Sequence, residues 1–188
     1  MPKVIKDLQE QILQSATELF GQHGYHSTDM KMISGKTGIA VGTIYNYFPN
    51  KKQLYISVLK RNWSNIFRKL EDICQRIKDP DVIMQQTIEI LYSDMDKKTG
   101  LGKIFFRAAY EELLKDPDII HINTTIVSKI ANIFRLVGHS TDTDPKINNR
   151  LAETLIVAIC VLLAAHPQEK EENIYFLNKI ASFVIKTE

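Results

Sequence analysis

A chain of 188 residues that is 44% hydrophobic and 24% charged, with eight Gly and six Pro, has a globular composition, which excludes a disordered or fibrous protein. Its formal net charge of +2 is too small to name a partner by itself. Its two cysteines, Cys74 and Cys160, lie far apart with no paired Cys/His spacing, which excludes a disulfide framework or a zinc site.

Ile5, Leu8, Ile12, Ala16, Leu19 and Phe20 recur at three and four, predicting an amphipathic first helix that stops around Gly21 to Gly24. Ser27 or Thr28 is the expected cap of a short second helix carrying Met30, Met32 and Ile33, and Gly38 stands where a helix C-terminal glycine belongs. The third segment is GIAVGTIYNYFPNK, residues 38–51. It predicts a helix from near Ile39 to Phe48, closed by the restriction that Pro49 places on its predecessor. Asn50 then caps a long helix carrying Leu54, Val58, Trp63, Phe67, Leu70 and Cys74, which runs to the KDPD turn at Lys78 to Asp81.

Further helices are predicted at about 81–97, 101–114, 118–137, 145–165 and 168–186. With no alternating strand pattern, the fold class is all-α. The most apolar run, Leu155 to Ala165, has eleven residues against the ~18 to 20 that cross a bilayer. Because no apolar secretion signal opens the chain either, a soluble cytoplasmic protein without a membrane partner is expected.

Charge is spread unevenly. Residues 1–60 carry seven Lys+Arg against four Asp+Glu, whereas residues 61–188 carry 17 against 18. The first third is therefore the better contact for a polyanion. Two short helices joined by a glycine turn, behind a covering helix, have the outline of a helix-turn-helix, whose second helix enters the major groove.

In that second helix, Ile44 and Phe48 face inward with Phe20 as core, Val41 and Tyr45 share an adjacent face, and Thr43, Asn46 and Tyr47 project outward. Gly42, helped by the small Ala40, lets the backbone approach DNA closely. Thr43 and Asn46 suit base edges, whereas Tyr45, Tyr47 and Lys51 suit phosphate oxygens.

The segment from Ile12 to Leu54 resembles the DNA-binding domain of the TetR family of bacterial transcriptional regulators. The resemblance is carried by Ala16, Leu19, Phe20, Gly24, Tyr25, Thr28, Ile33, Gly38, Gly42, Thr43, Tyr45, Tyr47, Phe48, Lys51 and Leu54. It implies an N-terminal three-helix DNA-binding domain, residues 1–50, and a larger helical domain, residues 51–188, that binds a small-molecule effector and dimerises. It implies repression relieved by that effector. Carried over by position, Thr28 approaches the DNA backbone, Ala40, Val41, Gly42, Thr43 and Asn46 face the groove, and Tyr45, Tyr47 and Lys51 hold phosphates. The family usually has Ala where this chain has Ser34 and Thr37, and often Arg where it has Gln9.

In the larger domain Met84, Ile88, Leu91, Phe105, Phe106, Tyr110 and Phe134 are the expected walls of an apolar ligand pocket, or else plain core. Arg107 and Glu111 form an expected intrahelical pair, with acidic-ligand recognition as the alternative. The last two helices are apolar on more than one face and call for a two-fold partner. A homodimer would set its reading helices about 34 Å apart on an approximately palindromic operator. The rival reading is a helical-bundle binding protein or enzyme without DNA binding. The five histidines show no metal-ligand spacing, and neither a nucleophile elbow nor a phosphate loop occurs, so no catalytic residue, metal or cofactor is expected.

Overall fold

The computed structural model describes residues 2–96, 115–138 and 144–185, and among these every regular element is a helix. In chain order they are α1 (Pro2–Ser27), α2 (Met30–Thr37), α3 (Val41–Tyr47), α4 (Lys51–Arg76), α5 (Pro80–Asp96), α6 (Pro117–Val137), α7 (Pro145–Ala165) and α8 (Lys170–Ile185). The helix expected at 101–114, with Phe105, Phe106, Arg107, Tyr110 and Glu111, lies outside the described residues.

The chain forms two compact units. Among described residues the first holds 2–62, 96 and 115–119, and the second holds 63–95, 120–138 and 144–185. The division falls inside α4, twelve residues beyond the expected boundary at residue 50. The first turns of α4 explain this: Leu54, Tyr55 and Val58 are buried, and the Tyr55 ring meets Phe20 of α1 edge-on at 5.1 Å.

In the first unit Ile12, Ala16 and Phe20 of α1, Ile33 of α2 and Ile44 of α3 are fully buried. An ion pair at 2.7 Å joins Lys36 of α2 to Glu18 of α1. Another joins Arg61 of α4 to Glu10 of α1. Lys52 of α4 meets Asp116 at 2.6 Å, and the other oxygen of that carboxylate accepts from the Asp118 amide at 3.0 Å, at the head of α6.

In the second unit the buried set includes Trp63, Ile66 and Leu70 of α4, Met84, Ile88 and Leu91 of α5, Ile126 and Ile130 of α6, Ile159 of α7 and Leu177 of α8. The helix α7 is 21 residues long, ten more than its most apolar run, and is long and apolar enough to cross a membrane by length and composition. Only 28% of its apolar window is buried, so much of α7 is left uncovered by the described residues. Both cysteines are free thiols, and burial pushes Cys160 up to about 12.

Candidate nucleic-acid interface

The scaffold for α3 begins with a break in α1. Gly24 has φ +81° and ψ 172° inside the run that otherwise continues to Ser27, a conformation open to glycine and strained for other residues. The break exposes carbonyls of the last α1 turns, and Thr28 turns inward to meet them. Its hydroxyl donates to the Gly24 carbonyl at 2.8 Å, with the Leu19 carbonyl 3.2 Å away.

Thr28 is 0% exposed, so its side chain is a staple of the first unit and is unavailable to a DNA backbone. This corrects two expectations. Neither Ser27 nor Thr28 caps α2: Asp29 does, its carboxylate accepting from the Met32 amide at 2.8 Å.

At the other end of α2, Gly38 adopts φ +71° and donates its amide to the Ser34 carbonyl at 2.9 Å, an αL cap. The two hydroxyls by which this turn departs from the family pattern are both engaged. Ser34 Oγ donates to the Ile39 carbonyl at 2.6 Å. Thr37 Oγ1 donates to the Ile33 carbonyl at 2.9 Å and accepts from the Ile39 amide at 3.2 Å. They replace alanine methyls with hydrogen bonds that fix the entry to α3.

The helix α3 presents two contrasting sides. Ile44 and Phe48 are buried, at 0% and 3% exposure, and anchor it inward as expected. Outward stand Ala40, Gly42 and Asn46, exposed, with Val41, Thr43 and Tyr47 half-buried. Tyr45 is 47% exposed, more open than a ring sharing the inner face. A Cβ built on Gly42 meets no atom within 4 Å, so packing within the chain gives no reason for glycine there, although glycine inside a helix is unfavourable by about 1 kcal/mol.

Beyond Pro49 the Asn50 side chain accepts from the Gln53 amide at 2.9 Å and caps α4. Lys51 departs from its expected place. Its Nζ donates to the carbonyls of Tyr25 at 2.8 Å and His26 at 3.3 Å and lies 4.4 Å from the centre of the Tyr25 ring. Burial lowers the lysine from its ordinary value, opposed by the Asp29 charge. Lys31, exposed in the first turn of α2, is a cation that no motif position in the sequence marks.

Of the expected pocket residues, Met84, Ile88 and Leu91 lie buried in one stripe of α5, whereas Phe134 borders a separate cavity of about 100 Å³ with Leu155 and Leu177. Phe105, Phe106 and Tyr110 lie outside the described residues. Among the described residues no cluster of His, Cys, Asp or Glu is placed to hold a metal ion.

A covering helix, a glycine-capped turn and a short second helix with an open polar face define a helix-turn-helix domain. Residues 12–58 match the family model described as bacterial regulatory proteins, tetR family. Over that stretch the chain is similar to the TetR family.

Among its relatives, the fatty acid metabolism regulator protein of Bacillus subtilis is 36% identical over 62 residues, which is 33% of this chain and 32% of that one. UidR of Escherichia coli K12, an HTH-type transcriptional regulator, is 21% identical over 150 residues, 78% of this chain and 74% of that one. The matches to the B. subtilis fatty acid regulator and to YuxN of the same organism span about a third of those relatives' lengths. In fold, the chain is similar to the transcriptional regulator FadR from B. subtilis in complex with stearoyl-CoA, with a TM-score of 0.78 and 19% identity over 94% of this chain and 97% of that one.

Proposed function

We propose that the protein is a ligand-responsive transcriptional regulator, acting in the cytoplasm, that binds an approximately palindromic operator as a homodimer and releases it when a small molecule occupies the larger domain. The observation that carries this reading is Gly42: its missing side chain is unused by the fold and stands on the open, hydrogen-bonding face of α3. A duplex pressed against that face supplies the reason. Ala40, Val41, Gly42, Thr43 and Asn46 then face base edges, and Tyr45 and Tyr47 reach phosphates. Lys31 adds a phosphate contact from α2, in place of the inward-turned Thr28.

The second copy covers α7 and α8. Val157 and Val161 on α7, with Phe176, Ile180 and Phe183 on α8, are all exposed, Phe183 by 73%. They repeat at helical spacing of three and four, the pattern of a seam between helices. For the effector, the apolar stripe of Met84, Ile88 and Leu91 favours an apolar body. Stearoyl-CoA, which FadR of B. subtilis binds, is the first probe to try.

Selection of bound fragments from genomic DNA, followed by titration of the selected fragments across a salt series, tests the proposal. Sequence-selective binding that weakens steeply with salt is expected. Retention of no fragment even at low salt ends it.

A further inference from the structure

Thr87 of α5 is 0% exposed, and among the described residues its hydroxyl has no hydrogen-bond partner. Hydroxyls elsewhere in the helices turn back on the carbonyl four residues earlier: Thr17 donates to Leu13 at 2.7 Å, Ser57 to Gln53 at 2.8 Å and Thr125 to His121 at 2.8 Å. Thr87 makes no such bond with Ile83. A buried hydroxyl that bonds to nothing is a standing cost to the folded chain.

The neighbours of Thr87 define what relieves that cost. One turn to either side stand Met84 and Leu91, with Ile88 beside it, all buried and apolar. A water among them would find one polar side chain, where buried waters make about three hydrogen bonds. Two turns on, about 10 Å along the axis, the same face of α5 carries Asp94, whose buried carboxylate meets Lys69 of α4 at 2.5 Å. Asp94 and Lys69 together carry no net charge. An ionised ligand group brought to Thr87 would therefore lose its hydration without gaining a counter-charge.

We propose that Thr87 is the polar contact of the effector site: its hydroxyl donates to an uncharged acceptor, a carbonyl in the simplest case, on an otherwise apolar molecule lying along the stripe of Met84, Ile88 and Leu91. This assignment rests on the proposed binding of a small molecule by the larger domain. It narrows the chemistry of that molecule. A ketone, ester or thioester qualifies at this end, whereas a free fatty acid, ionised at neutral pH, does not.

Two variants test the assignment. Thr87→Val keeps the branched shape and removes the hydroxyl, and Thr87→Ser keeps the hydroxyl. Without ligand, the melting temperature of Thr87→Val is expected to rise by about 2 to 4 °C, because its new methyl group leaves no hydrogen bond unmade. A lower melting temperature, or a failure to fold, overturns the proposal by placing the hydroxyl in a bond that the fold needs.

Binding is measured by calorimetry with 2-octanone, 2-decanone and 2-dodecanone, each against the counterpart in which a methylene replaces the carbonyl oxygen, and with decanoate. The unmodified protein and Thr87→Ser are expected to prefer the ketone to its counterpart by about fivefold to tenfold, and to bind decanoate more weakly than 2-decanone. Thr87→Val is expected to bind ketone and counterpart equally. The proposal is overturned by equal binding in the unmodified protein, by a ketone preference that survives in Thr87→Val, by tighter binding of decanoate, or by no binding of any ketone. A ketone preference in a protein that retains no DNA fragment ends the regulator reading and leaves Thr87 as assigned. Operator binding without a ketone preference does the reverse.

Discussion

The outer side of α3 and the outer sides of α7 and α8 are both left open by the chain, but for opposite chemical reasons. On α3 the open groups are a glycine backbone, Thr43, Asn46 and two tyrosines, which make hydrogen bonds and gain little from being buried for their own sake. On α7 and α8 they are Val157, Val161, Phe176 and Phe183, whose exposure leaves apolar surface in water at about 25 cal/mol per Å². Open hydrogen-bonding groups and open apolar surface leave different marks. The first is written in individual residues, the second in a periodic stripe.

The comparison breaks most sharply at the apolar side. Val157→Asp is expected to convert a dimer into monomers, read by light scattering, and to weaken operator binding by about 100-fold through loss of the linked second half-site. Next comes Gly42→Ala, which should act in opposite directions on two readouts. Thermal stability rises by up to about 1 kcal/mol because Ala is the better helix former and the new methyl meets no neighbour. Operator affinity falls roughly tenfold, equal to about 1.4 kcal/mol. A variant that lost both would place Gly42 in the packing of the fold.

A smaller and more local effect is expected of Asn46→Ala, which relaxes preference at one base pair by about 1 kcal/mol, the lower end for a bidentate base contact, and leaves other positions as they were, read from binding to a panel of singly altered operators. Smaller still is the pH signature of the pair at the foot of α4. The hydrogen bond with Lys52 holds the Asp116 carboxyl below its ordinary value, and the same bond with Asp116 raises Lys52. The pair therefore contributes stability above the unfolded carboxylate value near ~4 and below the unfolded lysine value near ~10.4. The carboxylate side of that contribution fades as pH falls through the folded Asp116 value, and the lysine side as pH rises through the folded Lys52 value. Asp116→Asn should flatten that plateau in a thermal-melt series, and an unaltered profile would dissolve the pairing.

The least effect is chemical. Cys160 points to the buried side of α7 with its thiol raised to about 12, so it should stay unlabelled by a thiol reagent at neutral pH until the protein unfolds.

Helices α3 to α8 were legible to within a few residues because caps and prolines announce themselves. Asn50, Gly38 and Pro145 stand where the structure uses them. The inward pair Ile44 and Phe48 followed from helical spacing alone. What escaped was whatever depends on the Gly24 break. A glycine near a helix end reads as a stop, and the sequence carries no sign that Thr28 folds back to cover the freed carbonyls or that Lys51 reaches across from another helix to do the same. The Lys51 contacts link positions 25 and 26 apart, a distance over which periodicity says nothing. Ser34 and Thr37 were legible as departures from a pattern, whereas the hydrogen bonds that account for them needed coordinates.

Asn173, at the start of α8, is 4% exposed. Its amide donates to the Tyr92 hydroxyl on α5 and to the His166 carbonyl at the end of α7, each at 2.8 Å. One carboxamide thus acts as a rivet through three helices. The same carboxamide links α5, one turn beyond Ile88, to the α7–α8 elbow, so a tilt of α5 strains the hydrogen bonds that set the angle between the two terminal helices.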